Sequence, residues 1–237
     1  MYLVYCNSID STQLLAKRIF EKIQKEILVV TSDTQLSGFG RNSRKWISGC
    51  GGLYFTSAFK NIIFPHPIPL YISISVCLYL KKKFNINARL KWPNDVYFEN
   101  KKLGGILIDR CVSNDFNFLF LGIGLNYNNE IEISGTENND AISIKQILGS
   151  EITFSNIIES KDITEFILTN TESYKNNQVK LINDYSGLCI CLNKKIEAVD
   201  FRDEKIFGTA SAIGTEGELI LNCGRKLFSV KQLRIII

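Results

Sequence analysis

Lys91-Trp92-Pro93-Asn94-Asp95-Val96, followed by Lys101-Lys102-Leu103-Gly104-Gly105-Ile106-Leu107-Ile108-Asp109, is the stretch that decides how this chain is read. Val96-Tyr97-Phe98 and Ile106-Leu107-Ile108 are short β-branched and aromatic runs, and the polar Glu99-Asn100-Lys101 between them has the composition of a tight connection. A hairpin is expected, with Lys91, Asp95 and Lys102 held near one another. Pro93 fixes its own φ and biases Trp92 toward an extended backbone, so Lys91 to Asp95 has little conformational freedom. Charge fixed at a bend points to chemistry.

Outward from this hairpin, Leu3-Val4-Tyr5 predicts a first strand, and Asp10 or Ser11 a helix cap. Leu15, Ile19, Ile23 and Ile27 then recur every fourth residue. Ile27 to Thr31 returns as a buried strand. The charged, glycine-containing segment from Thr34 to Gly52 is too long for an idle connection, and Leu53 to Phe59 resumes the sheet. Pro69 fits the first turn of a helix running to about Lys83. Phe118 to Ile123 is a strand entering Gly122-Ile123-Gly124-Leu125-Asn126. Glu130 to Asp140 reads as an exposed acidic loop, and Ser143 to Leu148 and Ser155 to Tyr174 as helices. Beyond Tyr185 short strands follow one another, at Leu188–Leu192, Lys195–Val199, Ile206–Ala212 and Leu219–Leu221, with turn signals at Gly214 to Gly217. That is a small β-barrel composition.

Composition narrows the function classes. The chain has 237 residues, 45% hydrophobic and 22% charged, which is ordinary for a globular protein able to bury a core. The net charge of +4 comes from lysines spread along the chain rather than from a stripe, so no nucleic-acid partner is expected. The seven cysteines show no metal or disulfide spacing; reduced thiols in a cytoplasmic protein are expected, and no metal-ligand residues are assigned. The start lacks the plan of a signal peptide, and the longest apolar stretch, near Leu70 to Leu80, is too short to span a bilayer, so no membrane partner is expected.

Gly38-Phe39-Gly40-Arg41-Asn42-Ser43 looks like a dinucleotide loop only superficially. Ser43 stands at the third glycine position, and Arg44-Lys45-Trp46 follows in place of an apolar helix. There is no Walker lysine either. The single histidine, His66, lies between two prolines and supports no Ser-His-Asp arrangement. On the residues alone this is a basic loop, flexible or ligand-binding, with Arg41 and Arg44 able to meet a phosphate.

Taken together, KWPND with KLGGIL, Asp10-Ser11-Thr12 upstream, Gln35 through Ser57, and Gly122-Ile123-Gly124-Leu125-Asn126 resemble the motifs of biotin protein ligases, in the family's order. The resemblance implies an α+β fold: a mixed sheet with flanking helices, like the class II aminoacyl-tRNA synthetase catalytic fold, over residues 1–185. A small SH3-like β-barrel is implied over 186–237. Because the chain begins close to Asp10-Ser11-Thr12, the monofunctional type without a preceding DNA-binding domain is expected.

The implied activity joins biotin and ATP into biotinyl-5'-AMP, with Mg²⁺, and transfers biotin to a lysine of a biotin carboxyl carrier domain. By the same resemblance Ser11, Thr12, Gln35, Gly38, Phe39, Arg41, Trp46, Lys102 and Gly104 meet biotin. Arg41, Arg44, Lys91, Asn94, Lys102 and Asn126 meet ATP, and Lys102, Arg41, Lys91 and Asp95 carry the chemistry. Lys102 is expected to bridge the biotin carboxylate and the α-phosphate. Departures from the pattern are Phe39 for arginine, Ser43 for glycine, Gly49 for proline and Gly52 for asparagine. A lipoate protein ligase and a non-catalytic biotin-binding protein are the rival readings, and a homodimer through sheet edges is a further expectation.

Overall fold

The computed structural model describes residues 1–113, 116–131 and 141–236. Most of the expected acidic loop at Glu130 to Asp140 lies outside the described residues. The chain divides into two compact units, residues 1–63 with 97–168, and residues 64–96 with 169–237.

In the first unit, β1 (Tyr2–Ile9) runs parallel to β2 (Ile27–Gln35), and α1 (Thr12–Phe20) supplies the crossover that parallel pairing requires. β3 (Leu53–Lys60) is antiparallel to β2 and to β7 (Phe116–Leu125), and β7 in turn to β6 (Lys101–Ser113). The hydrogen-bonded strand order there is β1-β2-β3-β7-β6; β4 (Arg89–Lys91) lies in the second unit, and β5 (Asp95–Phe98) begins in it. The expected hairpin is present, with Glu99 in the left-handed region at φ 53 in its two-residue turn.

α1 turns Ala16 and Phe20 onto Leu28, Val30, Ala58, Phe118 and Phe120, with Phe20 edge-on to Phe118 at 5.6 Å between ring centroids. Each such buried large side chain stabilises the unit by about 1.5–3 kcal/mol. The expected stripe Leu15, Ile19 and Ile23 is only partly buried. The inward face is Thr12, Gln13, Ala16 and Phe20, rotated by one residue because Gln13 satisfies its amide inside. Ser11 occupies the cap position, but its side chain makes no capping bond. α3 (Ile144–Leu148) opens on a capping box of Ser143 and Gln146, and α4 (Asn156–Thr169) follows.

The second unit begins with α2 (Ile68–Phe84), buried over most of its surface, with Pro69 in its first turn and Asn85 closing it at φ 56. Trp92 is buried, its Nε1 donating to the Gly217 carbonyl at 2.9 Å. α5 (Gln178–Leu188) absorbs the start of the expected strand at Leu188–Leu192. What remains there is a turn whose Cys189 makes one bridge to Leu90. Residue 185 therefore falls inside a helix of this unit.

β8 (Lys195–Val199), β9 (Lys205–Ile213), β10 (Leu219–Leu221), β11 (Lys226–Leu227) and β12 (Gln232–Ile236) form an antiparallel sheet in the order β11-β10-β9-β8-β12. The expected barrel is not closed. β11 pairs with β10 and β12 with β8, and the two-residue β11 offers too little ladder to join the ends. No helix among the described residues is long and apolar enough to cross a membrane. All seven cysteines are free.

Candidate active site

The start of α1 and the end of β2 converge on a side-chain network in the first unit. The Thr12 N–H donates to Gln35 Oε1 at 2.9 Å, and Gln35 Nε2 donates to Ser48 Oγ at 2.9 Å. Thr12 Oγ1 stands 3.2 Å from Gln35 Oε1 and 3.0 Å from Thr56 Oγ1, and Thr56 donates to Gln13 Oε1 at 2.9 Å. Gln13 Nε2 donates to the Asp109 carboxylate at 3.1 Å, where Lys17 Nζ also binds at 2.6 Å. Ser11, Thr12, Gln13, Ser48 and Thr56 are all buried. Buried polar groups of this kind are tolerated because they are paired, and pairing holds them rigid.

The loop closes over this network through its backbone. Trp46 N–H donates to Gly38 O at 2.9 Å, Gly40 N–H to Arg44 O at 2.8 Å, and Gln35 N–H to Ser48 O at 3.3 Å. Gly38 is required by the loop's own closure: a Cβ there would stand 2.8 Å from Ser48 Oγ and from Trp46 O. Gly40 is unlike it, since a Cβ would meet only Arg44 O, at 4.0 Å. Phe39 forms a bridge with Lys45, and Arg41 begins a single 3₁₀ turn, Arg41–Ser43. Asn42 and Ser43 both have left-handed backbones, φ 57 and 55, so Ser43 carries a side chain where a glycine is easier. Arg41 is half-buried and Arg44 exposed.

Gly52 has a structural reason. A side chain there would run into the phenol of Tyr54, whose hydroxyl donates to Gly49 O at 3.0 Å, and burial pushes the Tyr54 hydroxyl well above its ordinary pKa. Gly49 itself has open space around it.

The Trp46 indole lies on Gly124 of β7, where a Cβ would come within 2.7 Å of the ring, and its Nε1 is buried without a hydrogen-bond partner. Lys102 Nζ sits 5.2 Å from the Trp46 ring centroid, within cation–π range. Gly104, paired with Leu125, leaves no room for a side chain beside the Leu125 side chain and the Gly124 carbonyl. Asn126 is buried and used internally. Its Nδ2 donates to Ile142 O at 3.2 Å and Lys102 O at 3.4 Å, and its Oδ1 accepts from Asn129 at 3.1 Å.

The structure thus gathers Thr12, Gln35, Gly38, Trp46, Lys102, Gly104 and Asn126 on one side of the first unit's sheet and its loop. Lys91 at the end of β4, Asn94 in the turn and Asp95 at the start of β5 belong to the second unit, all half-buried. Gln13, Ser48, Thr56 and Asp109 were not expected. Their signal was present in the sequence as polar residues at core-facing positions: Gln13 stands one helical turn before Ala16, and Thr56 interrupts an apolar strand. Among the described residues no three or more His, Cys, Asp or Glu side chains gather as a metal site.

The biotin/lipoate A/B protein ligase family model matches residues 5–126, a little over half of the chain. A bifunctional ligase/repressor, BirA of Bacillus spizizenii, is 27% identical over 232 residues, covering 93% of this chain and 69% of that protein. Biotin--protein ligase 2 of Arabidopsis thaliana is 31% identical over 137 residues, 54% of this chain and 41% of that one. Among solved structures, the Aquifex aeolicus biotin protein ligase in complex with biotin and ATP superposes with a TM-score of 0.75 at 28% identity, covering 99% of both chains.

Proposed function

The chain belongs to the biotin/lipoate A/B protein ligase family, and from that premise we propose that it is a biotin protein ligase working in two half-reactions. In the first, a biotin carboxylate oxygen attacks the α-phosphorus of ATP and pyrophosphate leaves, giving biotinyl-5'-AMP. In the second, a carrier-domain lysine amine attacks the carbonyl of this mixed anhydride, loses a proton and expels AMP. The observation that carries the reading is the buried Thr12–Gln35–Ser48 network beside a half-buried Lys102. It combines a neutral recognition floor of donors and acceptors with a cation for the two negatively charged partners.

Thr12, Gln35 and Ser11 offer the hydrogen-bonding groups that a ureido ring, with its donors and acceptor, can use. Lys102 neutralises carboxylate and phosphate as they approach, a task suited to a compact ammonium. Arg41 and Arg44 add charge from the loop, and Phe39 contributes through its backbone. Trp46, stacked on Gly124, walls the reactive anhydride from water. Asn126 acts as a positioning residue, since its amide holds the Lys102 carbonyl. Mg²⁺ supplies charge neutralisation on the phosphates.

From the resemblance alone we assign Lys91 and Asn94 to phosphate binding and Asp95 to orienting the incoming lysine, each tested by its own alanine variant. Substrate activation is assigned to residues 1–185, the setting to the cytoplasm and the acceptor to a biotin carboxyl carrier domain. A homodimer paired through sheet edges is left to sedimentation. The direct test is incubation with biotin, ATP and Mg²⁺, followed by mass detection of biotinyl-AMP and of a biotinylated carrier domain. Both products are expected; biotin binding with neither product would make this a binding protein.

A further inference from the structure

A pair of cysteines apart from the candidate site shares one turn of the second unit. Cys189 caps the end of α5 and Cys191 follows in the turn before β8; between them the Ile190 N–H donates to the Leu90 carbonyl at 2.8 Å. Both are free and buried, Cys189 with 5% of its surface exposed and Cys191 with none. The Cys191 thiol hydrogen-bonds the Cys189 sulfur, and the backbone N–H groups of Cys191, Leu192 and Trp92 converge on that same sulfur. The Trp92 N–H faces the Cys191 sulfur as well.

These surroundings make the two thiols unequal. Hydrogen bonding from Cys191, aided by the three N–H groups and opposed by burial, holds the Cys189 thiol below its ordinary pKa. The same bond, together with burial, pushes Cys191 far above it, so Cys191 keeps the proton. A thiolate is the nucleophilic form of cysteine, and an adjacent thiol is what resolves its first oxidation product. Cys189 is also the member of the pair with any exposure. Cys77, by contrast, is pushed up to about 12 by burial against the pull of Arg89.

We propose that Cys189 and Cys191 form a modification site for hydroperoxides, with Cys189 as the attacking sulfur and Cys191 as the resolving one. The Cys189 sulfur attacks the peroxide: an S–O bond forms, the O–O bond breaks, the sulfur is oxidised to a sulfenic acid, and the departing hydroxide takes a proton to become water. Cys191 then attacks the sulfenic sulfur. An S–S bond forms, the S–O bond breaks, and the hydroxide leaves with the Cys191 proton as a second water. The disulfide removes the negative acceptor of the Trp92 N–H, in the turn between Lys91 and Asp95.

The test treats the folded full chain with hydrogen peroxide, then alkylates free thiols under denaturing conditions and digests with trypsin. Peptide 181–194 contains both cysteines and no other, so an internal disulfide is read as the loss of two hydrogens and of both alkylation sites. At equimolar peroxide this peptide is expected to be oxidised ahead of those bearing the exposed Cys50, Cys111 and Cys223, and dithiothreitol restores it. Cys191→Ser is expected to stop at a sulfenic acid on Cys189 that dimedone captures, and Cys189→Ser to leave Cys191 reduced. A peptide 181–194 that stays reduced while the exposed thiols are consumed overturns the proposal. So does a link from it to peptide 61–81, which carries Cys77. Dimedone capture in Cys189→Ser but not in Cys191→Ser overturns the assignment of roles. Should a serine variant not fold, the wild-type disulfide decides alone, and none of these readouts depends on the ligase reading.

Discussion

The floor of the site and the loop above it solve opposite problems. The floor, Thr12, Gln35, Ser48 and Thr56, is neutral, largely buried and closed by hydrogen bonds of 2.9–3.0 Å to its side chains. The loop, from Leu36 to Gly52, carries Arg41, Arg44 and Lys45 and exposes Leu36 and Ile47. It is pinned mainly by backbone bonds at Gly38, Gly40 and Trp46. On the proposed reading, groups that must distinguish one small ring from another are held rigid on the sheet, and groups that meet phosphate charge are placed where closure over substrate can bring them in.

The sharpest way to break this division is at Lys102, which stands on the rigid side yet is charged. Lys102→Ala should lower the adenylation rate by about a hundredfold or more, with thermal stability unchanged; single-turnover pyrophosphate release measures it, and wild-type release would remove Lys102 from its role. Next comes Gly124→Ala, whose Cβ would stand 2.7 Å from the Trp46 ring. Displacing the indole should weaken retention of biotinyl-AMP by about tenfold, the scale of an overpacking cost of 1–3 kcal/mol. Retained tryptophan fluorescence and unchanged retention would contradict the stacking.

Arg41→Gly tests the loop alone. Release of biotinyl-AMP should accelerate several-fold, at about 1 kcal/mol for a charge-assisted contact, while biotin affinity stays within about twofold. An equal loss of both would merge loop and floor into one element. The smallest effect is expected for Ser43→Gly, which relieves a left-handed backbone at φ 55. An unfolding free energy raised by at most about 1 kcal/mol is expected from denaturant titration, and a loss of stability would show that the serine side chain holds the turn.

How far the sequence could be read follows the same physics. Local chemistry was legible: the β5–β6 turn, Pro69 opening α2, the helical segment beginning at Ser143 and the β8 and β10 strands stand where the sequence pattern puts them. The face of α1 was not, because a periodicity count weighs Leu15 and Ile19 as core and Gln13 as solvent-facing. It is Gln13's partners on β3 and β6 that turn it inward. Leu188 to Leu192 reads as a strand by composition and ends a helix by context. The apolar alternation of the last fifty residues identifies strands but not whether they close, and β11, of two residues, is too short for composition to resolve.

Thr12, Gln35 and Lys102, singled out by their motifs, lie along one run of contacts through Ser48 and Trp46. Gly52 was legible only as a departure until Tyr54 showed what fills the space. Asn126 was read as a ligand contact, and the structure uses its amide within the fold.

The measurement that bears most directly on the account is exchange of labelled pyrophosphate into ATP, run with biotin, with lipoate and with neither acid, on wild type and Lys102→Ala. The account predicts exchange by wild type with biotin only, and its collapse in the variant. Exchange supported by lipoate alone, or by neither acid, would contradict it.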